Sequence, residues 1–426
     1  MRTLSHADFL AMRRFDALDG LRAIAAVIVV AFHFGGSAWG WTSGWIGVHL
    51  FFVLSGFLIT TLLLREESSR GRVSLRAFYT RRFFRILPVY FVVLAATWAL
   101  AHVNGRGKGV EQSLIHYLLM VNEFAPTKSF LHSWTIAIEQ KFYLVWPLLA
   151  FVLVSGAFYR RLAVTGVAVL ALLALVPVAT DWPYWPIQYV VILAGCLLAI
   201  IMHNPRSYAL VRPLTHPVAA VVVVIGFTAL HLSLPYWPPA ADGHNDTRVA
   251  IYAVGAALLL PALLTRSLPA RILALRPLAF IGERSYSLYL VQYIAAAVVA
   301  GLAPSVPRGT TFFLATVVVG LLAADLLHRW VELPMIDLGR RLAARGRKAA
   351  PEAAAPSAEV PAEPVAPPGT YAAQRMPVGT YPAQFPHPDM HPVTSAAAYP
   401  SQVPPVGAQP VGSPDPDATW AGPGRA

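Results

Sequence analysis

Long apolar runs separated by short polar connections dominate the chain. Ten of them approach the roughly 20 residues that a bilayer crossing needs. They fall at about residues 20–34, 45–64, 83–102, 134–156, 161–179, 186–202, 213–232, 249–265, 278–302 and 310–328. The pattern predicts an all-α polytopic membrane protein. A weaker stretch, Leu114–Val121, is too short to span and predicts a loop helix at the interface.

Arginines then orient the spans. Arg13 and Arg14 precede the first, and Arg65, Arg70, Arg72, Arg76, Arg81, Arg82 and Arg85 fall between the second and third or at the start of the third. Arg160 and Arg161, Arg206 and Arg212, and Arg266, Arg271 and Arg276 fill every second connection after that, and Arg340–Lys348 follows the last span. Gly35–Gly44 and Asp181–Pro186 hold no Lys or Arg. Arg248 and Arg308 stand singly, and Val103–His132 holds Arg106, Lys108 and Lys128. The positive-inside rule therefore predicts a cell-membrane protein with both termini cytoplasmic. The first run lacks a small-residue cleavage site and opens with Asp19 and Arg22, so it reads as a mature helix.

Composition agrees. Apolar residues make up 56% of the 426 and charged residues only 13%, against roughly 25% charged in a soluble domain. A net charge of +12 would suggest nucleic acid in a soluble chain. Here the basic residues sit between apolar runs, so topology explains them and no nucleic-acid partner is expected. The single Cys196 excludes an internal disulfide framework or a cysteine-based metal cluster. Residues 349–426 differ from the rest: 18 of the 36 prolines lie between 351 and 426. This predicts two parts, a membrane domain over 1–348 and a disordered cytoplasmic tail over 349–426.

Ionisable residues within spans are expensive and become functional candidates. Arg22 and His33 share one face of the first span, about 16 Å apart along the axis, with Asp19 three residues before Arg22. The second span runs back and brings His49 to about the depth of His33, with Gly44, Gly47 and Gly56 permitting close helix approach. Glu139 enters with the fourth span, about 9 Å below the outer interface. His33, His49 and Glu139 are thus expected to converge in the outer half of the membrane. A neutral imidazole can take a hydroxyl proton and a carboxylate can orient it; polar helix–helix contacts would use the same residues. No close-spaced ligand motif supports a metal site. Arg81, Arg82 and Arg85 suit a cytosolic phosphorylated donor, and equally suit orientation and lipid headgroups.

Five motifs occur in order: Leu18-Asp-Gly-Leu-Arg22 with His33, Gly44-Trp-Ile-Gly-Val-His-Leu-Phe-Phe-Val-Leu-Ser-Gly-Phe-Leu-Ile59, Phe78-Tyr-Thr-Arg-Arg-Phe-Phe-Arg-Ile-Leu-Pro88, Ser133-Trp-Thr-Ile-Ala-Ile-Glu139 with Phe142-Tyr143, and Ser285-Tyr-Ser-Leu-Tyr-Leu290. Together they resemble the acyltransferase-3 family of integral membrane O-acyltransferases, over about residues 15–335. The resemblance implies transfer of an acyl group from acyl-CoA, a donor substrate rather than a bound cofactor, to a hydroxyl of a sugar or glycosylated acceptor. It implies His33 as the essential histidine and Glu139 as the carboxylate of the fourth-span motif; His49, by its expected depth beside His33, is a third catalytic candidate. Arg22, Arg81, Arg82 and Arg85 become donor-side residues, with Trp134, Tyr143, Tyr286 and Gln292 as further substrate contacts. Two positions depart from the family pattern: His49 replaces an acidic residue, and Gln292 stands where a histidine is usual. The competing expectation is a transporter or flippase for a glycan or lipid, although no clear inverted pair of broken helices supports it.

Overall fold

The computed structural model describes residues 3–154, 156, 158–179, 186–238 and 245–348. The tail expected from residue 349 lies outside them. Among the described residues there is no strand, and ten helices are long and apolar enough to cross a membrane. Their α-helical parts are α1 (Asp16–Phe34), α2 (Gly47–Arg70), α3 (Leu75–Val103), α4 (Trp134–Pro147), α5 (Phe158–Leu175), α6 (Pro186–His203), α7 (Pro217–Ser233), α8 (Asp246–Leu263), α9 (Ser285–Leu302) and α10 (Thr310–Leu327), with α4 continuing as a π-helix to Leu153 and α7 as a 3-10 turn to Tyr236. α10 continues through a π-helical turn, His328–Glu332, into α11 (Leu333–Lys348).

α1 is central, packing on α2, α9, α10 and the short helix Arg276–Glu283. α2 lies along α6, α9 pairs with α10, and α11 folds back onto α3. Glycine sets the closest crossings. A Cβ on Gly56 would fall 1.9 Å from the Ile192 carbonyl oxygen, and one on Gly195 would fall 2.0 Å from that of Val53. The two glycines therefore let α2 and α6 meet backbone to backbone. Gly44 does the same ahead of α2, where a Cβ would sit 1.9 Å from the Ile28 oxygen.

Three features depart from the sequence reading. α3 starts at Leu75, eight residues before the expected span, because the Ser74 hydroxyl caps it by accepting from the Ala77 amide. Arg76, Arg81 and Arg82 therefore stand on the same helix as Arg85 rather than in a loop. The expected ninth span breaks at Arg284. Gly282 is pressed against the Asp19 carbonyl, so Arg276–Glu283 crosses the start of α1 as a separate helix. The loop helix covers Gly107–Leu118 rather than Leu114–Val121.

Arg161, expected only as an orienting charge, is buried. Its guanidinium grips both oxygens of Glu67 at 2.6 and 2.5 Å and donates through Nε to the Ala150 carbonyl at 2.7 Å. It ties the start of α5 to the end of α2.

Candidate active site

A cavity of about 310 Å³ runs through the bundle from the arginine-rich end. Arg13 and Arg14 lie at one extreme, Thr135 and Tyr289 at the other. α1 supplies Asp19 and Arg22, α2 supplies Ser55 and Arg65, and α3 supplies Arg82 and Arg85. Glu139 and Tyr143 enter from α4, Ser285, Tyr286 and Tyr289 from α9. Six arginines face two carboxylates, a formal excess of four positive charges. Hydrophobic side chains of α2 such as Phe51, Leu54 and Leu58 complete the wall.

Several of these arginines are committed. Arg65 donates to the carbonyls of Met12 and Phe9 at 2.6 and 3.0 Å, fastening the N-terminal segment across the mouth. Arg14 pairs with Glu283 at 2.9 Å, and Arg22 lies 4.0 Å from Asp19. Arg82 and Arg85 make no ion pair among the described residues. The Arg82 guanidinium instead lies over the rings of Phe78 and Tyr143, 5.8 and 5.7 Å from their centroids. Their charge is available to an anion in the cavity.

Deeper in, Ser55 Oγ donates to Glu139 Oε1 at 2.6 Å and accepts from Tyr143 O–H at 2.9 Å. The chain Tyr143–Ser55–Glu139 joins α2 to α4 and points its charged end into the cavity. Tyr286 O–H donates to the Ile86 carbonyl at 2.8 Å, which pins α9 to α3. Ser285 Oγ is buried beside it with no hydrogen-bond partner among the described residues.

The expected convergence of His33, His49 and Glu139 is not what the structure shows. His33 is absent from the cavity wall and lies at the opposite end of α1, its Nδ1 3.1 Å from Tyr293 O–H. His49 sits in the first turn of α2, where its Nδ1–H donates back to the Ile46 carbonyl at 3.1 Å. Two short 3-10 turns precede α2 and set this local bond, which holds the imidazole between Trp45 and Phe52. Glu139 alone of the three lines the cavity.

The imidazole beside the His33 pair is His132, which the sequence reading passed over. Its ring stacks on Tyr293 at 4.7 Å, and its Nε2–H donates to the Leu290 carbonyl at 3.0 Å. Tyr289 O–H bonds the His132 carbonyl and accepts from Thr135 Oγ1 at 2.9 Å. Burial lowers the His132 pKa to about 3, and the nearby His33 adds to that direction. His132 is therefore a neutral ring. Tyr289 and Tyr293 are one turn apart on α9, so the far rim of the cavity and the His33 pair share one helix face. The sequence signals were the i, i+4 tyrosines and a histidine two residues ahead of α4.

Of the remaining candidates, Arg22, Arg82, Arg85, Tyr143 and Tyr286 meet at the cavity. Arg81 turns aside to Glu66 at 3.0 Å. Gln292 is buried and donates to the Tyr289 carbonyl at 3.0 Å, and Trp134 packs edge-on to Phe52; neither lines the cavity. No group of three or more metal-ligating side chains occurs among the described residues.

A family profile described as an acyltransferase domain matches residues 15–329 and so takes in every residue of this cavity except Arg13 and Arg14. The chain belongs to the acyltransferase-3 family. It is a multi-pass membrane protein of that family. It is 28% identical over 365 residues to YrhL of Bacillus subtilis, covering 77% of this chain and 56% of that protein. It is 26% identical over 358 residues to the peptidoglycan O-acetyltransferase OatA of Listeria monocytogenes, covering 75% and 55%. It is also 26% identical over 364 residues to the O-acetyltransferase OatA of Staphylococcus aureus, covering 77% and 58%. The chain spans a little over half the length of these relatives. No solved structure matches it.

Proposed function

We propose that this protein is an integral membrane O-acyltransferase that takes an acyl group from acyl-CoA and esterifies a hydroxyl of an envelope glycan. The observation that carries the reading is the cavity with its formal excess of four positive charges, which runs from the arginine-rich end to the Glu139–Ser55–Tyr143 chain. A coenzyme A thioester is a long polyanion with an apolar arm, and guanidinium forks match its phosphates. Two of the relatives are named as peptidoglycan O-acetyltransferases, which makes peptidoglycan the first acceptor to try. Both termini are cytoplasmic in this reading, which places the cavity mouth on the side where acyl-CoA is made.

The donor's phosphates rest on Arg82 and Arg85, and its pantetheine arm follows the apolar wall toward Thr135 and Tyr289. The thioester carbonyl then lies one helical turn below Tyr293. At the outer end the reaction uses the His33 tautomer with its proton on Nδ1, facing the Tyr293 oxygen, so that Nε2 is bare to accept the proton of the glycan hydroxyl. The hydroxyl oxygen bonds to the acyl carbon and the carbon–sulfur bond breaks. The departing thiolate takes the proton, giving an ester and free coenzyme A. Glu139 holds Ser55 and, as the carboxylate of that chain, balances the cationic cavity wall.

The test is acetyl transfer from radiolabelled acetyl-CoA to a peptidoglycan fragment by the full chain in lipid vesicles. Labelled ester from the wild type and none from His33→Ala of equal insertion is the expected result. Equal ester from both would overturn the assignment of His33.

A further inference from the structure

Next to the donor cavity is a second one of about 320 Å³, sharing Leu62, Arg65 and Arg82 with the first. Its other charged residues are Glu66, Arg70 and Arg81, so four arginines face one carboxylate. The carboxylate lies deeper than the two arginines paired with it. The Glu66 side chain is 11% exposed, against 32% for Arg81 and 50% for Arg70. Glu66 Oε2 accepts from Arg81 Nη2 at 3.0 Å, while Oε1 accepts from the Ser74 amide at 3.3 Å and lies 3.5 Å from Arg70 Nη1. Each guanidinium has five N–H donors in a fixed fork. Held from beneath by Glu66, Arg70 and Arg81 keep outward donors for a second anion. Orienting charges need no such scaffold, since the positive-inside rule asks only for their side of the membrane.

We infer that this cavity binds a phosphate monoester, and that its occupant is the ribose 3′-phosphate of coenzyme A. The inference rests on the donor reading above. The shared wall at Arg82 makes the two cavities neighbours for one extended ligand, with the diphosphate on Arg82 and Arg85 and the 3′-phosphate around the corner on Arg70 and Arg81. A phosphate monoester carries about 1.5 to 2 negative charges near neutral pH, which suits a formal excess of three positive charges. A phosphodiester lipid headgroup carries less, but it is the other source of this chemistry at a membrane surface.

Coenzyme A and dephospho-coenzyme A, which lacks only the 3′-phosphate, separate these readings. Both are titrated calorimetrically into the full chain in phosphatidylcholine nanodiscs, and again in nanodiscs containing phosphatidylglycerol. The wild type is expected to prefer coenzyme A at least about tenfold, as one or two charge-assisted hydrogen bonds imply. Arg81→Gln and Arg70→Gln should each cut that preference several-fold and leave dephospho-coenzyme A binding within about threefold. The preference is a ratio within one sample, so a partly misfolded variant does not distort it. Equal wild-type affinity for the two ligands would overturn the subsite and leave the donor reading standing. No binding of either ligand would overturn both. A preference that vanishes in phosphatidylglycerol would assign the cavity to lipid and likewise overturn the inference.

Discussion

Replacing Tyr293 with Phe removes one oxygen and keeps the ring. The stack on His132 at 4.7 Å and the edge contact with Phe34 at 5.2 Å should both survive, because they need only the aromatic surface. What goes is the 3.1 Å hydrogen bond to His33 Nδ1. Tyr293 is 40% exposed, so this is a neutral, partly hydrated bond with a net contribution of about 0.5–1.5 kcal/mol. If the bond holds the imidazole for catalysis, kcat should fall about two- to tenfold. Tyr293 does not line the arginine-rich cavity proposed for the donor, so the KM for acyl-CoA should not move. Steady-state transfer from labelled acetyl-CoA, with acyl-CoA varied at saturating acceptor, reads both constants. An unchanged kcat with a raised donor KM would refute the placement of His33 and Tyr293 at the acceptor end.

Other variants test the remaining assignments. Arg161→Met should destabilise the protein by about 3–5 kcal/mol, because it leaves Glu67 in a half-buried site without its fork. Arg206→Met removes the same charge from an exposed position at the same end and should be nearly neutral; chemical unfolding in detergent compares the two. Gly56→Ala or Gly195→Ala must push α2 and α6 apart, whereas Gly226→Ala meets nothing within 4 Å. The first two should lose monodispersity on size exclusion and the third should retain it. The pKa of His132 is lowered by burial to about 3 from 6.5, so its stabilising contribution is complete above pH 6.5 and is lost as pH falls toward 3. The wild type should therefore lose stability relative to His132→Gln over that window, and parallel pH profiles would contradict the buried neutral ring.

The spans were legible because the apolar runs approach the length of a bilayer crossing and are separated by polar connections, and the arginine-rich connections were legible because they alternate. Residues of one motif were found together when the motif lies on one helix face: Arg22 with Asp19, Arg82 with Arg85. Pairings between distant helices left no such trace. Nothing in the order of residues couples His33 to Tyr293, 260 positions away, or places Ser55 between Glu139 and Tyr143. Helical depth alone put His49 beside His33, but depth says nothing of azimuth, and a bond to the Ile46 carbonyl holds the ring where it is. Arg161 read as one more orienting charge because burial is a tertiary property. The break at Arg284 depended on Gly282 meeting the Asp19 backbone, a contact between two ends of the chain.

In the proposed mechanism donor and acceptor meet from opposite ends of one bundle, with the arginine cavity on the donor's side. Sealed vesicles of known orientation, given labelled acetyl-CoA on one side only and a glycan fragment on the other, test it directly. Labelled ester should appear only when acetyl-CoA is on the arginine-rich side. Arg82→Leu and Arg85→Leu should each raise the donor KM about tenfold or more, and His33→Ala should abolish transfer with donor binding intact. Ester formation from donor supplied only to the opposite side, or unchanged donor KM in both arginine variants, would contradict this two-sided arrangement.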